Sequence, residues 1–375
     1  MRKIFVVILL LAISIAAYSQ KNNRMLIVSG GGARGAWGVG VVEGLMYKQG
    51  LNDKDSAGYV AVFGTSTGSL MAPFILLKDT TRLADLYCSV TQKSIFNVNP
   101  FKVNVDSSGV VTAEPNWIKA AIRLLFGCRT LGESEPLRKL IHDNFGDSEF
   151  HKLMADSLYL AVAVTNMRTG DIEIRNSKDV NDGRKMGDWI WASGNEPLWM
   201  SYYDEKDSEG KITDSYVDGG LRDIVPVRAG LEYAFEKKIR NVDIVINNMR
   251  TPIERKWRAN KSWATGLLRT LDIYSAGVVA KDTLLAYIYS EALNCKIDTG
   301  TIKNPDTIAV HLYFMPDTLA KKYPYELAFF KAPMQNLLLQ GRNMILNAPA
   351  ATPPGSHITI TAKQYNLGVG PSRRH

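Results

Sequence analysis

Arg24-Met25-Leu26-Ile27-Val28-Ser29-Gly30-Gly31-Gly32-Ala33-Arg34-Gly35 sets the plan of the fold, and Tyr59-Val60-Ala61-Val62-Phe63-Gly64-Thr65-Ser66-Thr67-Gly68 repeats it. Each is a short apolar run cut off by glycine. Apolar residues without alternation are what a strand buried on both faces requires. After the first run, Arg34 to Lys48 reads as a helix, with Trp37, Val41, Leu45 and Met46 near one face and Gly50 ending it. After the second, Ser69 to Lys78 reads as an apolar helix that Pro73 starts or kinks. Strand–turn–helix twice over predicts βαβ units, hence an α/β fold with a mostly parallel central sheet flanked by helices.

Further along, Leu158 to Thr165 reads as a strand that Thr169-Gly170-Asp171 turns into Ile172-Glu173-Ile174. Val242 to Ile246 and Ile308 to Phe314 read as buried strands. Helices are expected near Trp117 to Phe126, over Leu137 to Phe145, and within 264–294 and 327–347. Residues 95–130 otherwise read as loop, and 349–375 as a loose tail. There is no internal repeat or long linker, so 24–348 reads as one domain, with core motifs in 25–230 and a helical C-terminal part in 250–348. A hydrophobic content of 46% with 22% charged residues fits a globular core and excludes disorder, collagen and a multi-span membrane protein. Residues 1–20 read as a secretory signal: Arg2 and Lys3, then an apolar stretch to Ala17, then a small-x-small site at Ala17-Tyr18-Ser19. The expectation is an exported protein, periplasmic or secreted, with the segment either cleaved or kept as an anchor.

The net charge of +8 favours anionic surfaces. No nucleic-acid motif is present, so no nucleic-acid partner is expected. Arg250, Arg255, Lys256, Arg258 and Lys261 cluster with Trp257 and Trp263, which suits either peripheral contact with an anionic membrane or a charged loop with tryptophan packed beneath it. Cys88, Cys128 and Cys295 match no metal motif and leave open one disulfide or three thiols.

Gly64-Thr65-Ser66-Thr67-Gly68 matches G-x-S-x-G between a strand and a helix, the context in which a tight turn presents a nucleophilic serine. A glycine-bounded turn of no chemical consequence has the same letters. Gly30-Gly31-Gly32-Ala33-Arg34-Gly35 satisfies G-x-G-x-x-G, but a dinucleotide site needs an acidic residue at the end of the next strand, and that strand ends in Phe63-Gly64-Thr65-Ser66. The other reading is an oxyanion hole of glycine amides. A serine needs a base. None of His142, His151, His311, His357 and His375 sits in a convincing strand-end motif. Asp218-Gly219-Gly220, after Tyr216-Val217, is the better candidate, although Asp-Gly is also a common turn pair.

S-G-G-G-A-R-G (29–35), G-T-S-T-G (64–68) and Y-V-D-G-G-L-R-D-I-V-P-V (216–227), in that order, resemble the patatin-like phospholipase family. Trp191 to Pro197 is similar to the family's small-residue and proline stretch, and Leu327 to Gly341 to its closing helix. The resemblance implies a three-layer patatin-like fold and cleavage of fatty-acyl esters, phospholipids among them, by a Ser66–Asp218 dyad. It implies an oxyanion and substrate-binding region at Gly30, Gly31, Gly32, Arg34 and Gly35, with Gly64, Thr65, Thr67, Gly68, Gly219 and Gly220 supporting the motifs. It implies no metal and no cofactor. Thr67 stands where the family has Ala or Gly, and Gly194-Asn195-Glu196 departs from its apolar pattern. A serine esterase or thioesterase acting on soluble substrates, or a non-catalytic lipid-binding relative, are the other readings.

Overall fold

The computed structural model describes residues 24–53, 56, 58–105, 111–248, 263–298, 308–348 and 357–360. The signal-like segment 1–20 and the basic cluster at 250–261 lie outside these residues. Strand β1 (Arg24–Val28) runs mid-sheet, parallel to β2 (Tyr59–Thr65) on one side and β9 (Asn241–Ile246) on the other. Beyond them, β5 (Tyr159–Asn166) and β10 (Ala309–Phe314) extend the parallel centre.

The apolar β1 is buried on both faces, as its unbroken run requires. Leu26 and Val28 enter one core and Met25 and Ile27 the other. Helices α1 (Gly35–Lys48), α2 (Thr67–Leu76) and α12 (Lys331–Leu346) cover the first face through Trp37, Met71, Ile75 and Leu337. Helices α9 (Val227–Glu236) and α10 (Trp263–Asp298) cover the second through Leu231 and Val279. Three layers result, each fully buried aliphatic side chain contributing about 1.5–3 kcal/mol. No helix among the described residues is long and apolar enough to cross a membrane.

The flanks of the sheet are antiparallel. β6 (Ile172–Asn176) and β8 (Ile212–Asp218) pair with β5, and β7 (Tyr203–Lys206) pairs with β8. The β5–β6 hairpin turns at Gly170 with φ +76°, where the sequence places its turn. In the segment expected to be loose, β11 (His357–Ile360) adds antiparallel to β10.

Two local expectations change. Helix α2 starts at Thr67 rather than Ser69, because the Ser66 carbonyl already accepts the Ser69 and Leu70 amides; Pro73 lies inside it. Residues 95–130 are not merely loop. A hairpin of β3 (Phe101–Val105) and β4 (Val111–Pro115) precedes the expected helix, α5 (Trp117–Leu125). Helices α3 (Thr80–Ser89), α4 (Gln92–Ile95), α6 (Glu135–Asn144), α7 (Asp147–Ala155), α8 (Gly183–Ser193) and α11 (Asp317–Lys322) complete the described elements. Cys88 and Cys128 are free thiols, and the Cys295 side chain lies outside the description.

Candidate active site

Ser66 occupies the junction of β2 and α2 with φ 55° and ψ −124°. A non-glycine residue held there carries about 1–3 kcal/mol of backbone strain, so the surroundings must over-determine it. They do. The Ser66 amide donates to Ser193 Oγ at 3.0 Å, and that hydroxyl donates to the Ala163 carbonyl at 2.7 Å. The Ser66 carbonyl accepts from Ser69 Oγ at 2.6 Å and from the Ser69 amide at 2.9 Å. The flanking glycines are needed for approach: any side chain on Gly68 would strike the Val28 carbonyl, and one on Gly64 the Gly68 backbone.

Asp218 ends β8, opposite Val164 of β5, while Thr65 pairs with Ala163 on the other side of the same strand. Ser66, one residue past Thr65, and Asp218 therefore emerge at the same end of β5, about one strand spacing to either side. The Asp218 carboxyl is almost wholly buried. Burial pushes it up from 3.8 to about 7, against hydrogen bonds from the Ser66 hydroxyl and the Gly220 amide, the latter at 2.7 Å. Gly219 lies against the Ala163 backbone, which leaves no room for a Cβ. A carboxyl that titrates near neutrality beside a strained serine has the geometry and proton affinity of a general base.

The glycine run divides its work. The Gly30 amide is taken by the Ile224 carbonyl at 3.0 Å. Gly30 therefore supplies space rather than a donor: a Cβ there would come within 3.1 Å of Ser66 Cβ. Gly31 (φ +149°) and Gly32 (φ +52°) adopt conformations that favour glycine, and no acceptor among the described residues takes their amides. Gly32 also lines the pocket over Ser66. Arg34 is buried and ion-paired with the pocket-lining Glu326, so it braces the loop from behind. Gly35 makes room for Thr67, whose hydroxyl bonds the buried Tyr87 hydroxyl. The extra bulk of Thr67 is thus absorbed by Gly35 and Tyr87.

The pocket runs from Ser66, Gly32 and Asp218 into an apolar wall that includes Leu70, Phe74, Leu86, Ile141, Phe145 and Met334. None of its lining residues is a histidine. Sequence reasoning left out two neighbours of Ser66 and Asp218. Ser193 anchors the elbow, and its only signal was membership of a small-residue stretch. Glu196 lines the same pocket, and burial followed by the Asp218 charge pushes its carboxyl up to about 8. Its signal was visible as an acidic residue where an apolar one was expected. No cluster of metal-ligating side chains occurs among the described residues.

A serine elbow, a buried carboxyl and an apolar cleft in a three-layer α/β sheet define an enzyme of the lipid hydrolase or esterase class. The family model described as patatin-like phospholipase matches residues 26–231, more than half of the 375-residue chain. The chain belongs to the patatin-like phospholipase family, whose members act on lipid substrates. Among solved structures, VipD from Legionella pneumophila matches with a TM-score of 0.41 and 14% identity, over 90% of this chain and 68% of that one. No curated protein sequence matches the chain.

Proposed function

We propose that the protein is an exported phospholipase A- or lysophospholipase-like acyl-hydrolase that works through a Ser66–Asp218 dyad. The observation that carries this reading is the meeting of Ser66 and the buried Asp218 at the polar end of an otherwise apolar pocket. An apolar channel beside a nucleophile accepts a fatty-acyl chain and offers little to a small polar ester. Asp218 takes the Ser66 proton as Oγ attacks the ester carbonyl. The Gly31 and Gly32 amides meet the oxyanion, and the alcohol leaves with a proton returned by Asp218. Asp218 then takes a proton from water, which attacks the acyl-enzyme and releases the fatty acid and Ser66. Preorganised amides of this kind are each worth about 10²–10³ in rate.

The test uses the full chain, defined phospholipid micelles and a fluorophosphonate probe. Ser66→Ala is expected to abolish labelling and fatty-acid release, and Asp218→Asn to lower release by about 10²–10⁴-fold with folding intact. Full release by either folded variant refutes the dyad.

A further inference from the structure

Helix α5 is mounted the wrong way round for a surface helix. At 100° per residue, Trp117, Ile118, Ala121, Ile122 and Leu125 share one face, Ala120 and Arg123 share the other, and the exposed Lys119 lies at the border between them, next to Ile122. An amphipathic helix on a soluble protein turns its apolar face to the core. Here Ala120 is the one buried residue of the helix, and Arg123 faces the protein, donating to the Thr130 carbonyl at 2.8 Å and to Glu133 at 2.9 Å. Ile118 is 69% exposed, Leu125 85% and the following Phe126 80%.

The position of α5 relates it to the pocket. Its excursion leaves the pocket wall at Ile95 and rejoins it at Leu137. The returning limb is tied back by the Leu131 amide to the Leu198 carbonyl at 2.7 Å, two residues beyond pocket-lining Glu196. Leu198 is itself exposed. Apolar surface and acyl pocket thus belong to one stretch of chain. Lys119 flanks the apolar face, and the whole chain carries +8, which matches an anionic lipid surface. A second copy of the chain fits less well. Nine residues make a face about 14 Å long and about 10 Å wide, on the order of 140 Å², well short of the roughly 800 Å² per partner that a stable dimer buries.

We infer that α5, with Phe126, is a membrane-docking element that seats the pocket on an anionic phospholipid surface. It lies in the interface plane, its apolar face in the headgroup–acyl boundary and Lys119 among the phosphates. The inference rests on the lipid acyl-ester reading of the pocket and adds where the enzyme meets its substrate.

The experiment compares the full chain with Leu125→Ser/Phe126→Ser, two exposed positions remote from the reacting groups. Three readings are taken: co-flotation with vesicles of phosphatidylcholine and phosphatidylglycerol, fatty-acid release from them, and hydrolysis of a short soluble ester. The variant is expected to lose at least tenfold in vesicle binding and in vesicle hydrolysis, and to keep its rate on the soluble ester within twofold. Unchanged vesicle binding overturns the inference. So does a wild-type dimer that the variant dissolves without loss of vesicle binding. If the wild type floats with vesicles through α5 yet releases no fatty acid, the hydrolase reading fails and the docking assignment stands.

Discussion

Replacing Glu196 by Gln removes one ionisable group from the reaction centre and leaves its shape. The two carboxyls sit in one pocket, so their protons leave as a coupled pair. Burial is the first cause of the rise of Asp218 from 3.8 to about 7. At about 1.4 kcal/mol per pH unit, that climb favours the neutral acid by about 4 kcal/mol. Glu196 follows at about 8, where burial is joined by the charge Asp218 has already acquired. In the wild type, kcat/KM should rise as Asp218 ionises near pH 7. It should fall again above pH 8, as a second negative charge appears beside the developing oxyanion. At pH 9, about one pH unit past the second step, roughly a tenth of the enzyme retains the active protonation state. Glu196→Gln should keep the acid limb near pH 7, because Glu196 is neutral while Asp218 titrates, and should lose the alkaline limb, leaving it about tenfold above the wild type's relative rate at pH 9. The assay is initial-rate kcat/KM on a soluble ester from pH 5.5 to 9.5, which avoids pH effects on vesicles. An alkaline limb unchanged in the variant, or an acid limb moved by more than about half a pH unit, refutes the claim that burial sets the base and Glu196 the upper limit.

Ser193→Ala leaves the half-buried Ser66 amide without its acceptor, a loss of about 1 kcal/mol; the melting temperature should fall, and kcat should drop more than KM changes, whereas an unaltered kcat shows that the elbow needs no such anchor. Asp223, pushed up to about 8 by burial and then by the Asp282 charge, binds its proton more tightly folded than unfolded. Its stabilising contribution is therefore complete below about pH 4 and is lost as pH climbs towards 8. Asp223→Asn should flatten the fall in melting temperature between pH 5 and 8 and melt above the wild type at pH 8; an identical slope sinks that assignment.

The central strands were legible because burial on both faces leaves an unbroken apolar signature, as in Met25 to Val28 and Val242 to Ile246. The hairpin at Phe101–Val105 was not, since its alternation of Phe101, Val103 and Val105 with Lys102 and Asn104 is short and set among Pro, Ser and Gly. Helices α3 and α8 were overlooked, although Asp79 and Asp182 each cap a start by accepting an amide three residues on. Their buried faces, Leu83 and Tyr87 in one and Met186, Trp189 and Ile190 in the other, are short and set among polar residues, so few turns repeat the period. At the site, Ser66 and Asp218 were readable because backbone demands write glycines beside them. Glu196 and Ser193 join the site by position in space, and the sequence marks them only as a departure from an apolar pattern and as a member of a small-residue stretch. The inversion of α5 was likewise unreadable: its amphipathic pattern is plain in Trp117 to Leu125, but which face meets the protein is decided by the anchoring of Arg123.

Strand β5 carries a consequence for how this enzyme can change. In the proposed dyad, Ser66 follows Thr65, which pairs with Ala163 on one side of β5, and Asp218 pairs with Val164 on the other, so their separation is set by the spacing of a hydrogen-bonded sheet. Side-chain drift in the walls can reshape which acyl chain is accepted while that spacing stays put. A one-residue slip of β8 against β5 would instead turn Asp218 to the opposite face and, on the proposed dyad, abolish activity. If the proposed dyad does the chemistry, specificity can wander gradually whereas catalytic competence is all-or-none, arriving only when β8, some 150 residues downstream of the elbow, is zipped into register with β5.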